Sequence, residues 1–174
     1  MYQPIDFRKY PEKDFRTRGQ FQWAIYDIEH PDCTGTLKVA NLPVKVLEVP
    51  EYLAPPGAFD DNNPPFMVMW APLVVSFRNK GVRKKAGVPL TREDYNEADK
   101  VDLFSGDLVT RYEPDNEYTV IDRSSYILRA RLVATKLELL QNKVDQFGDP
   151  GLWVTCNNNI SFTKFTPGVP GVHQ

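Results

Sequence analysis

The chain has 174 residues, 41% of them hydrophobic and 12% aromatic, and a net charge of −2 at pH 7. Such a length fits one domain with a self-sufficient core, and the apolar share excludes a disordered composition. The acidic balance excludes a global positive field for nucleic acid or anionic membrane, and no run approaches the ~20 apolar residues of a membrane span.

The first nineteen residues mix Tyr2, Phe7, Tyr10 and Phe15 with Arg8, Lys9, Lys13, Arg16 and Arg18, without a period of 2 or 3.6. They read as an irregular N-terminal arm (1–19), laid over the domain or reaching onto a neighbouring subunit by its aromatics. Met1 to Lys9 lacks the apolar stretch of a secretory leader, which leads to the expectation of a cytoplasmic protein or a component of a virion or other assembly.

A single β-rich domain is expected over 20–165. Phe21, Trp23 and Ile25 share one parity before Tyr26 and Ile28 change phase, the pattern of a strand with a bulge near Ile25–Tyr26. A turn at Pro31–Gly35 leads to Leu37 and Val39. Leu42, Val44 and Val46 continue in the other phase around Pro43, which predicts an edge or bent strand. The prolines and glycine between Leu53 and Pro65 make that stretch a loop. Phe66–Phe77 is the most apolar run and is split by Pro72. It predicts two short strands or one kinked strand, buried on both faces, and the densest part of the core.

Arg78–Gly87 is a basic loop. Thr91 and Asp94 have the spacing of a capping box for a short helix over 92–99. Val101–Phe104, Leu108–Tyr112 and Tyr118–Ile121, separated by turn residues, suggest a β meander. Residues 124–140 admit two readings. As a strand, Tyr126, Leu128, Ala130 and Leu132 oppose Arg129 and Arg131, the phase slips around Val133–Thr135, and Leu137 and Leu139 then oppose Lys136 and Glu138. As a helix, Arg129, Lys136 and Lys143 fall opposite Arg131, Glu138 and Asp145, whereas a surface helix presents one polar face. The strand is preferred. It forms a long hairpin with the alternating segment from Leu152 to Phe162, and a flexible Pro-Gly tail follows (166–174). The fold class is mainly β: one antiparallel sandwich or barrel with long proline-rich loops and one or two short helices.

Chemical motifs are sparse. His30 lies at a strand end and His173 in the tail, so no histidine-based triad or zinc set is expected. No glycine-rich phosphate loop occurs, and neither a cofactor nor a metal is expected. Asp60–Asn63 lacks the oxygen spacing and closing Glu of a calcium loop and reads as solvated. Cys33 and Cys156 are expected to be free thiols rather than a disulfide.

One charge concentration stands out: Arg78, Lys80, Arg83, Lys84 and Lys85, directly after a run holding Trp70 and Phe77. Cations beside stacking rings are what single-strand nucleic-acid binders use. The blander reading is a loop whose lysines guard a strand edge. A third is contact with an acidic patch of a neighbour, such as Glu93, Asp94, Glu97 and Asp99. The leading expectation is a non-enzymatic structural or interaction subunit, with other protein subunits as partners in a homo-oligomer or hetero-assembly and Tyr2, Phe7, Tyr10 and Phe15 as subunit contacts. An oligonucleotide-binding barrel using residues 78–85 ranks second, and a carboxylate- or metal-dependent enzyme third.

Overall fold

A computed structural model describes residues 6–104, 106–121 and 125–165. Its strands are β1 (Glu12–Arg18), β2 (Ala24–His30), β3 (Cys33–Ala40), β4 (Pro43–Glu48), β5 (Phe66–Trp70), β6 (Val74–Asn79), β7 (Lys100–Asp102), β8 (Leu108–Tyr112), β9 (Asp115–Ile121), β10 (Ser125–Val144) and β11 (Pro150–Phe165). One α-helix, α1 (Arg92–Glu97), and single 3-10 turns at Phe7–Lys9 and Glu51–Leu53 complete the described elements. The larger sheet has the order β11-β10-β9-β1-β4-β5, with β7 beside β10, and the smaller has the order β6-β3-β2-β8. The fold is mainly β, a sandwich in which the larger sheet curls.

The twenty-residue strand β10 organises both cores. Along its first part Leu128 and Ala130 pack with Val46, Tyr118, Val120 and Phe162. Beyond it, Leu132, Ala134, Leu137 and Leu139 pack with Tyr26, Ile28, Leu37 and Val39 of the smaller sheet. The β10 residues that enter the two cores are even-numbered up to Ala134 and odd-numbered from Leu137, so one extra residue must enter the strand. That residue is Thr135: Ala134 lies opposite Cys156 and Lys136 opposite Thr155. A bulge of this kind swings the following side chains to the other face.

The bulge falls where β10 has a gap along its second edge, because pairing with β9 reaches only to Arg131, opposite Asp115, and pairing with β7 resumes only at Glu138, opposite Asp102. Tyr26 of the smaller sheet fills that gap. Its hydroxyl accepts the buried Ala134 N–H at 2.9 Å and donates to Glu113 Oε1 at 2.7 Å. Burial pushes the Tyr26 phenol well above its ordinary value, which keeps the donor protonated.

The charges on β10 are cross-strand partners. Arg129 lies opposite Glu117 and Arg131 opposite Asp115, with ion pairs at 2.7 Å and 2.9 Å on the solvent face. Such exposed pairs contribute little to stability beyond fixing the register.

Several sequence expectations need correction. Residues 12–18 of the expected arm form β1, an interior strand between β9 and β4. Phe15 is its one apolar inward residue, so the two-residue pattern was hidden among charges that pair with neighbouring strands, such as Lys13 with Glu48 at 2.7 Å. β4 is also interior, and Pro43 is tolerated because it is the first residue of the strand. The apolar run around Pro72 divides between the two sheets: β5 and β6 are edge strands, and Met69, Val74 and Val75 are exposed. The densest packing is along β10, because an edge strand has neighbours on one side only. The expected meander does not form. β7 pairs with β10, β8 with β2, and β9 with β1 and β10. The bulge near Ile25–Tyr26, the capped helix and the long terminal hairpin are all present.

Two tyrosines give opposite expectations. Tyr26→Phe leaves the Ala134 amide and the Glu113 carboxylate without the hydroxyl they share, and should lower stability by about 1–3 kcal/mol in urea unfolding. Tyr118 is equally buried, but its hydroxyl has no partner among the described residues. Tyr118→Phe should therefore be neutral or stabilising by up to about 1 kcal/mol.

Candidate interaction site

Two strands end their sheets on the same side of the molecule: β6 of the smaller and β11 of the larger. Between them runs a groove of about 920 Å³. Val75 and Phe77 line it from β6, Leu152 and Val154 from β11, Tyr95 from α1, and Phe147 from the turn that joins β10 to β11. This volume falls within the range of ligand-binding clefts.

Both groove walls present main-chain groups. The Lys80 N–H donates to the Thr34 carbonyl at 2.8 Å, so alternate residues Arg78 and Ser76 of β6 bond to β3. The pleat then turns the N–H and C=O of Val75 and Phe77 towards the open edge. On the other wall, the Leu103 N–H donates to the Leu137 carbonyl at 2.9 Å. Leu137 and Leu139 therefore bond to β7, and their partners Leu152 and Val154 turn their own main-chain groups outwards.

Gly35 sets the position of β6. A methyl group there would collide with the Arg78 carbonyl oxygen and lie 2.6 Å from the Phe77 ring. Gly35→Ala should push β6 away from β3 and cost about 1–3 kcal/mol, measurable by thermal unfolding.

Helix α1 forms one rim. Thr91 and Asp94 complete the capping box, and Lys143 Nζ lies 2.7 Å from Asp94 Oδ1. Tyr95 then meets Trp153 edge to face at 5.9 Å, with the Lys100 ammonium 5.3 Å from the same indole. The Lys143 ammonium, followed by the Thr91 amide and hydroxyl, holds the Asp94 carboxyl down at about 2.

The basic loop is not a free hairpin tip. The Lys84 N–H donates to the Gly148 carbonyl at 3.1 Å, and the Gly87 N–H to the Asp145 carbonyl at 3.0 Å. Asp149 is buried and accepts from Asn79 at 3.0 Å and Arg83 at 3.1 Å. Lys80 stands 3.8 Å from Asp27. Arg78 belongs to β6 rather than to the loop, and Arg78, Lys84 and Lys85 are exposed. The rings expected beside these cations point elsewhere: Trp70 packs into the core around Val46, and Phe77 against the core around Leu37. Of the acidic residues, Asp94 is engaged by Lys143 and its own cap, whereas Glu93, Glu97 and Asp99 are exposed.

Among the expected subunit contacts, Phe15 packs on Tyr118 at 6.2 Å inside its own core. That placement follows from its position on β1. Phe7 is exposed and meets Tyr10 edge to face at 5.7 Å. Tyr2 lies outside the described residues. Trp153, Phe147 and Tyr95 were not singled out from the sequence. The available signal was Trp153, a large ring on the face opposite to Leu152 and Val154.

Other groups are structurally occupied. Asp60 accepts from the Asn62 and Asn63 amides, each at 2.8 Å, in a local turn. His30 Nδ1 accepts the Asp32 N–H at 3.1 Å, and His173 lies outside the described residues. Cys33 and Cys156 are free thiols, and burial pushes them up to about 12 and about 11. Among the described residues no cluster of three or more His, Cys, Asp or Glu forms a metal set, and no helix is long and apolar enough to cross a membrane. No protein-family model, curated protein or solved structure matches this chain.

The Asp94 carboxyl gives the groove rim a pH response. Its value lies below the ordinary 3.8, so its contribution is complete above about pH 4 and is lost as pH falls through about 2. Indole fluorescence should report loosening of Tyr95 from Trp153 over that window, and Asp94→Asn should remove the step.

Proposed function

We propose that this chain is a non-enzymatic interaction subunit that takes an extended segment of another protein subunit into the groove between β6 and β11. One observation carries the reading: two sheet edges, unpaired among the described residues, open towards the same groove. Proteins ordinarily charge, shorten or cover such edges, because they template pairing. Here the edge residues Val75 and Phe77 are apolar, and Phe147 is 63% exposed at the mouth of the groove. An added strand gains main-chain bonds from an edge and specificity from the pockets beneath alternate side chains.

The polar groups of the groove favour contact over catalysis. Asp145 accepts the Phe147 and Asp149 amides at 2.8 Å and 3.0 Å, and Asp149 is held by Asn79 and Arg83. Both carboxylates thus shape the turn, and the two thiols, Cys33 buried and Cys156 partly so, stay protonated near neutrality.

Sedimentation velocity over a wide concentration range tests the reading. The wild-type chain should self-associate. Val75→Lys, which places a charge on the edge, and Phe147→Asp, which charges the mouth, should each weaken association about tenfold, ~1.4 kcal/mol. A wild-type chain that stays monomeric throughout, or association untouched by both substitutions, would sink the proposal.

A further inference from the structure

We infer that the groove receives the N-terminal arm, residues 1–10, of a second copy of this chain, so that copies join head to tail. This identity for the occupant rests on the groove reading above.

The first support is position. β1 starts beside the Ser125 end of β10: Asp14 lies opposite Ile121, and Val120 opposite Tyr126. The groove lies towards the other end, where Trp153 is opposite Glu138. From Tyr126 to Glu138 the strand runs roughly 40 Å. Ten residues of arm span at most ~35 Å when fully extended, and the arm's root lies beyond the Tyr126 end. The arm therefore cannot fill the groove of its own chain by following the hairpin, whereas the arm of a neighbour can reach it.

The second support is chemistry. The described part of the arm is apolar and cationic: Phe7 is 42% exposed and meets Tyr10 edge to face, and the Arg8 side chain is 90% exposed. Tyr2 and Ile5 add apolar residues further along the sequence. The groove offers Tyr95, Phe147 and Trp153, rings suited to an aromatic arm. On α1 Arg92 lines the groove itself, while Glu93 and Glu97, off the lining, are exposed on the same helix with Asp99 just beyond; these three carboxylates are opposite in sign to Arg8 and Lys9. The loop cations Lys84 and Lys85 lie next to the same turn and suit Asp6. Arg8 is paired with Asp6 at 2.8 Å in its own arm, but so exposed a pair is readily exchanged for a new partner. Arm and groove are different surfaces, so the contact is heterologous and propagates as a ring or an open chain.

The test uses the full chain, a variant lacking residues 1–9, and a synthetic peptide of residues 1–11. Removing the arm should abolish self-association. The peptide should then bind the arm-deleted protein and change its indole fluorescence. The double substitution Arg8→Glu with Lys9→Glu should weaken association roughly three- to tenfold, and adding Glu93→Lys with Glu97→Lys should restore it. Association that survives arm deletion but is weakened by Phe147→Asp overturns the arm as occupant and leaves the groove reading standing. Association indifferent to both changes overturns the two together. Loss of association on deletion, with no peptide binding and no rescue by the charge exchange, also overturns the arm.

Discussion

The bond from the Ala134 amide to the Tyr26 hydroxyl joins the two sheets at the point where β10 changes its buried face. Without Thr135 the even-numbered side chains would continue inwards, and Leu137 and Leu139 would face water. Without Tyr26 the amide beside the bulge would be buried and unpaired in the gap between β9 and β7. One hydroxyl thus holds open a register in which a single strand serves two cores. The smaller sheet lies on the second of these cores, and its edge strand β6 is placed by it. The groove depends on that placement.

Much of the fold was legible in the sequence because burial writes a two-residue pattern. The slip at Val133–Thr135, the bulge near Ile25–Tyr26 and the Thr91–Asp94 cap could each be read from local spacing. Sheet membership could not. Ala71 and Pro72 look like an interruption within one element, yet they carry the chain from the larger sheet to the smaller. β1 was hidden for a different reason. Its stability comes from flanking strands and from charge pairs with residues far off in sequence, as between Arg18 and Glu117, so its own composition is nearly silent.

The candidate site was legible in part. The basic residues were found, but their roles were set by partners that lie far off in sequence: Asp149 for Arg83 and Asp27 for Lys80. The apolar residues of the groove were visible individually. That Val75 and Val154 share a cavity follows from two sheets ending on one side, a fact of topology that no window of sequence contains. The same geometry explains why some exposed apolar residues occur on strands here. Met69, Val74, Val75 and Ile160 sit on strands where a sheet stops, with no further strand beside them among the described residues.

The pairing pattern also governs the order in which the protein can be completed. β2 and β3 are joined by a tight turn and can meet early, whereas β1 must wait for β9, about a hundred residues later in synthesis. Non-local pairing of this kind is slow, since a long loop must close before any contact rewards it. During that interval β1 can pair only with β4, through Glu12 and Lys13, and its other edge is bare. Its composition, Glu12-Lys13-Asp14-Phe15-Arg16-Thr17-Arg18, keeps the waiting strand hydrated and poorly adhesive, so the shortage of apolar residues that conceals it in the sequence also protects the nascent chain.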